Sequence, residues 1–191
     1  TKVATGLWGC SRIAREQFST GSTFLSLFLG YDQVKRAIAP AVRRRLEQDF
    51  LLELYLDVRA YTPITNKSGA VRAARVAFGR VYNVKTEVDA GLKGFRAILE
   101  AQFHPDGSPI ETPGYGQATI REGLWMIPEM LPEVDTLPGG DRYRAALDTL
   151  GAIATPPGNQ PPIDDCHANM WIPRRTVDIA STRYGESIPD P

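Results

Sequence analysis

The sequence predicts an all-α protein, and three observations predict it. Apolar residues recur at helical spacing in segment after segment. Alternation at period two is absent over any useful length, so no sheet is expected. The breaks between the apolar stripes carry the residues that end helices and make turns.

The stripes follow in order. Val34, Ile38, Ala41, Val42 and Leu46 start one long run, continued by Leu51, Leu54, Tyr55 and Val58. Val71, Ala74, Phe78 and Val81 form the next, then Val88, Leu92, Phe95, Leu99 and Phe103. Ile120, Leu124, Ile127 and Leu131 follow, and Tyr143, Leu147, Leu150 and Ile153 close the series. YTPITNKSG ends the long run at Pro63 and offers Asn66 or Ser68 as an N-cap; Asn83 and Thr86 precede the next helix. All prolines except Pro40 and Pro63 lie from Pro105 onward, so stiff Pro-rich loops are expected in the second half. Gly91 and Gly94 fall inside a helix, where each costs roughly 1 kcal/mol against alanine. Close approach of a neighbouring helix is the expected reason. A bundle, a solenoid and a toroid of helical hairpins all satisfy this pattern.

Composition narrows the function classes only a little. The chain has 191 residues, enough for one domain with a core. Lys plus Arg and Asp plus Glu both number 22, so net charge says nothing about partners, any anion-binding surface must be local, and no nucleic-acid partner is expected. The longest apolar run, Phe24 to Leu29, is far too short to span a membrane. The numbering opens at Thr1 without a signal-peptide pattern, which leads us to expect a longer or processed parent chain. Cys10 and Cys166 read as buried thiols ahead of a disulfide, since a lone pair fits no disulfide framework or zinc spacing. No metal-ligand cluster is visible, so neither metal nor cofactor is expected.

The most informative stretch is FHPDGSPIETPGYG. It sets Asp106, Glu111 and Tyr115 on a loop pinned by Pro105, Pro109 and Pro113, after a long helix. Chemistry gathers on loops held by rigid scaffolds. A tyrosine beside a carboxylate is a candidate proton donor. The plainer reading makes Asp106-Gly107 a turn, Glu111 a solvated or capping carboxylate, and Tyr115 the cover of a helix end.

The ordered set NKSG, DGSPIETPGY and PPGNQPPIDD resembles the heparinase II/III superfamily of polysaccharide lyases, which takes in alginate and oligoalginate lyases. The likeness covers roughly Asp57 to Trp171. It implies an incomplete (α/α) toroid of antiparallel helical hairpins, with residues 1–191 as that domain or a fragment of it. It implies β-elimination on an acidic polysaccharide: C5 of a uronic acid loses its proton, the carboxylate is neutralised, and the leaving O4 is protonated. Asn66 would hold the carboxylate, and Tyr115 would serve as acid, with base as a second role. Glu111 would hold the tyrosine loop. Many relatives have histidine after the asparagine, whereas this chain has Lys67, a lysine able to act as base or clamp when desolvated. His104 reads as a helix C-terminal cation. His167, flanked by acids and an aromatic in DDCHANMW, is the better catalytic candidate. Arg59 and Arg121 are candidate carboxylate forks, and Trp125 and Trp171 candidate sugar platforms with a core role as the alternative. Arg43, Arg44 and Arg45 fan over different faces of a helix as a solvated surface.

In several relatives a C-terminal β-sandwich supplies a further histidine. No segment here reads as that sandwich, so the chain reads either as a truncated piece, with an additional domain in the parent chain, or as a divergent member. The resemblance also implies a secreted or periplasmic location. Two alternatives stand beside the lyase: a non-catalytic helical module that binds a glycan or protein, and a toroid glycoside hydrolase pairing Glu111 with Asp57 or Asp164.

Overall fold

The computed structural model describes residues 20–120, 124–131 and 139–153, together with Asp178. Every regular element among them is helical. The one strand-like pairing among the described residues is an isolated antiparallel bridge between Phe103 and Pro109.

Helix α1 spans Thr20–Val34 and precedes the first stripe read from the sequence. Its signal is nonetheless present. Phe24, Leu25, Phe28 and Tyr31 are spaced for one helical face, and all four are buried.

The run expected from Val34 to Val58 breaks before Pro40: Val34 ends α1, and one helix with a π turn inside it covers the rest. Pro40 opens α2 (Pro40–Leu46) at its first helical position, where the missing N–H loses no bond. A π turn over Glu47–Leu51 then leads into α3 (Leu52–Ala60). The wider turn rotates the apolar face. Leu51, Leu54, Tyr55 and Val58 are buried as expected, but Val42 is 59% exposed; Val34, at the end of α1, is 51% exposed. Helix α2 buries no residue at all. Simple periodicity cannot register the added residue of a π turn.

Helix α4 (Gly69–Val81) is the centre of the fold, with α1 and α5 (Lys85–Gln102) packed on it. Its buried face is mostly small: Ala70, Ala73, Ala74 and Ala77 between Val71, Val76 and Phe78. Small side chains allow close packing, and Gly91 on α5 extends it. A Cβ there would stand 2.6 Å from Val76 Cγ2 and 2.9 Å from the Arg72 carbonyl. Gly91 therefore marks the close helix approach expected from its position.

The α4–α5 connection is a Schellman turn. Val84 N–H donates to the Gly79 carbonyl at 2.7 Å, and Asn83 takes a left-handed φ of 56°. Asn83 thus ends α4 instead of capping α5, whose N-cap position is Val84. Around this end Tyr55 stacks on Phe78 at 3.6 Å between ring centres, and Phe28 meets both edge-on. Three further helices complete the described fold: α6 (Pro113–Thr119), α7 (Met126–Met130) and α8 (Gly140–Ala152).

Candidate functional site

Helix α5 has 18 residues and ends in the loop that the sequence singles out. The loop closes on itself. His104 N–H donates to the Ser108 carbonyl at 2.8 Å, and Ile110 N–H to the Gln102 carbonyl at 2.9 Å. The Asp106 carboxylate accepts from Ser108 N–H at 2.9 Å and from its hydroxyl at 2.7 Å. These bonds hold the Asp106 carboxyl below its ordinary value of 3.8. Asp106 is therefore an exposed turn-maker, and His104 beside it is exposed as well.

The loop is seated on α8. Thr149 Oγ1 donates to the Asp106 carbonyl at 2.8 Å, and Arg142 Nη1 to the Phe103 carbonyl at 3.3 Å. Gly107, with φ +84°, lies so close that a Cβ would stand 2.0 Å from the Ala145 carbonyl oxygen. Arg142, Ala145 and Thr149 are spaced for one face of a helix. The sequence alone gave no sign that α8 holds this loop.

Tyr115 sits in the first turn of α6. Thr112 is the N-cap, and its hydroxyl accepts from Tyr115 N–H at 3.3 Å, with Pro113 at the first helical position. The backbone of this turn is buried, but the Tyr115 side chain is 39% exposed. Glu111, just before the cap, is exposed.

Asn66 opens a 3₁₀ turn, Asn66–Ser68, that leads straight into α4. Ser68 occupies the N-cap position of α4 but makes no side-chain cap bond. Its hydroxyl turns back to donate to the Pro63 carbonyl at 2.8 Å and to accept from Thr65 N–H at 3.0 Å. It stabilises the loop instead of the helix. The 3₁₀ turn packs against α6, and the start of α4 is close to its end. A Cβ on Gly69 would lie 3.2 Å from the Thr119 carbonyl. The structure thus brings together the two elements that carry Asn66 and Tyr115. Asn66 is half-buried there.

Arg59 faces a different group. Its Nε lies 3.5 Å from Glu87 Oε1. Glu87, with an 8% exposed side chain, also accepts from Arg75 Nε at 2.9 Å and Nη2 at 2.6 Å, and from the Tyr55 hydroxyl. Burial pushes the Glu87 carboxyl up, but the bonds from Tyr55 and Arg75 and the two arginine charges outweigh it and hold it down. Burial and Glu87 together push the Tyr55 hydroxyl well above its ordinary value of 10.0. The cluster ties α3, α4 and α5 together.

Trp125 is half-buried and packs against the core, the alternative considered for it from sequence. Arg121, His167 and Trp171 lie outside the described residues, as do Asp164, Cys10 and Cys166. Among the described residues no three His, Cys, Asp or Glu converge as metal ligands, and no helix is long and apolar enough to cross a membrane.

Two surface hollows, of about 370 and 530 Å³, share Arg80 at the far end of α4. Neither is lined by a residue that the sequence singles out for catalysis or substrate binding. No protein-family model matches the chain, and neither a curated protein nor a solved structure matches it.

Proposed function

We propose that the chain is part of a polysaccharide lyase that cleaves a uronic-acid-containing polymer by β-elimination, on an (α/α) toroid. One observation carries this reading most: the 3₁₀ turn bearing Asn66 packs against the helix whose first turn presents the exposed Tyr115. The two residues come from opposite ends of the α4–α5 hairpin sequence, so local structure alone does not join them. The order NKSG, DGSPIETPGY and PPGNQPPIDD supports the same reading by its likeness to heparinase II/III-type lyases.

In this proposal Asn66 donates to the substrate carboxylate and favours the enolate-like transition state. Tyr115 delivers a proton to the leaving O4. An exposed phenol on a backbone fixed by Thr112 and α8 suits a donor that must meet substrate from solvent. Lys67 stands next to Asn66 in the same turn and takes the position of the base. Glu111 stands at the entrance to the Tyr115 turn. The partner is an acidic polysaccharide, with a further β-sandwich domain in the parent chain, in a secreted or periplasmic setting.

The test is near-UV absorbance of unsaturated uronate on incubation with alginate, heparan sulfate and related polymers. Tyr115→Phe and Asn66→Ala should each reduce the rate by about a hundredfold or more. Unchanged rates in both variants would remove these residues from the chemistry. Absence of unsaturated product with every uronate polymer, using the full parent protein, would remove the lyase reading itself.

A further inference from the structure

Arg72 is a buried cation. It is 6% exposed, on the inner face of α4. Its fork donates to three successive carbonyls of the segment before Asn66: Nη1 to Tyr61 at 3.0 Å, and Nη2 to Thr62 at 3.0 Å and Pro63 at 2.9 Å. Its Nε has no protein hydrogen-bond acceptor. The ion pairs among the described residues include none from Arg72 to a carboxylate. Burial and the charge of Arg75 both disfavour the guanidinium.

Holding an unneutralised charge in the interior is costly, and a neutral helix face would pack there without that cost. Space is reserved for it as well. A Cβ on Gly94 would stand 2.4 Å from Arg72 Cδ and 2.7 Å from its Nε. Gly94 sits in the middle of α5, where glycine weakens the helix. A planar fork matches several carbonyls at fixed angles, which a lysine ammonium does not do.

We propose that Arg72 is the positioning residue of the Asn66 turn, gripping residues 61–63 so that Asn66 stands in one place beside the helix of Tyr115. The Pro63 carbonyl is shared with Ser68, so the grip passes directly to the 3₁₀ turn. Gly94 is the complementary vacancy. The consequence for turnover rests on the lyase reading; the consequence for the loop does not.

The experiment uses Arg72→Met, Arg72→Lys and Gly94→Ala in the full parent protein. Gly94→Ala keeps the guanidinium and displaces it, so it serves even where Arg72→Met folds poorly. Native-state hydrogen exchange at Thr65 and Ser68, both hydrogen-bonded in the loop, is compared with exchange in α8. Exchange at these two amides should rise about tenfold or more in Arg72→Met and Gly94→Ala while α8 stays unchanged, with Arg72→Lys giving little rescue. In the lyase assay kcat should fall on the order of ten- to a hundredfold with KM little altered. Uniform loosening of the whole molecule, or loop exchange equal to wild type, would overturn the positioning role. A wild-type protein without lyase activity would sink the lyase reading and leave the exchange result to decide on Arg72.

Discussion

Replacing Glu87 with alanine should destabilise the protein by about 3–5 kcal/mol, because it strands two arginines and a tyrosine around an empty position. The carboxylate accepts hydrogen bonds from Tyr55 and Arg75 and pairs with the charge of Arg59, and the three come from two helices other than its own. Arg75 has a side chain only 17% exposed, so water replaces its partner poorly. Arg59 is 56% exposed and its contact with Glu87 is long, so Arg59→Ala should cost only about 1 kcal/mol or less. Chemical denaturation of the two variants checks both values. The same cluster sets a pH dependence. The folded Glu87 carboxyl is held below its ordinary value of 4.5. Below that value the unfolded chain binds the proton first, so its stabilisation is complete above the unfolded value and is lost as pH falls through the folded one. Denaturation at stepped acidic pH should show a fall in stability that is smaller in Glu87→Gln, which has no carboxyl to protonate.

Replacing Gly107 with alanine should cost about 3 kcal/mol, a fall in Tm of roughly 6–12 °C. Two effects add. The backbone is left-handed at φ +84°, which a Cβ disfavours, and the added carbon would meet the Ala145 carbonyl at 2.0 Å. That obstacle is helix backbone and cannot rotate away. The loop must leave α8, and the bond from Thr149 to the Asp106 carbonyl goes with it. Thr149→Val removes that bond alone and should cost about 1 kcal/mol. Thermal unfolding of both variants measures the difference between losing one bond and losing the seat.

Helix type was legible wherever the apolar period ran unbroken. Phe95, Leu99 and Phe103 are buried as their spacing required, and so are Ile120, Leu124 and Ile127. What escaped were features that period does not encode. The π turn at Glu47–Leu51 shifted the register and left Val42 outside the core, while Val34 belongs to the end of α1, before the break at Pro40. Helix α1 escapes because Phe24 to Leu29 reads as one apolar run, while its buried face is Phe24, Leu25 and Phe28 continued by Tyr31.

The candidate site was legible as two motifs, because Asn66 and Tyr115 lie on segments marked by turn residues. Their support was not. Arg72 reads as an ordinary polar position on a helix until its three carbonyl partners are seen. Arg59 reads as a substrate fork from its place before the Asn66 loop; what that place does not show is the contact of its Nε with Glu87 at 3.5 Å. Long-range partners of this kind depend on which helices meet, and no local pattern records that.

Mass spectrometry of the products released from a uronate polymer by the full parent protein tests the proposed chemistry most directly. Elimination adds no water, so the new non-reducing end should carry a double bond and weigh one water less than a hydrolysis product. Those products should vanish in Tyr115→Phe. Saturated products that incorporate solvent oxygen at the new reducing end would contradict the lyase reading and favour hydrolysis by a carboxylate pair.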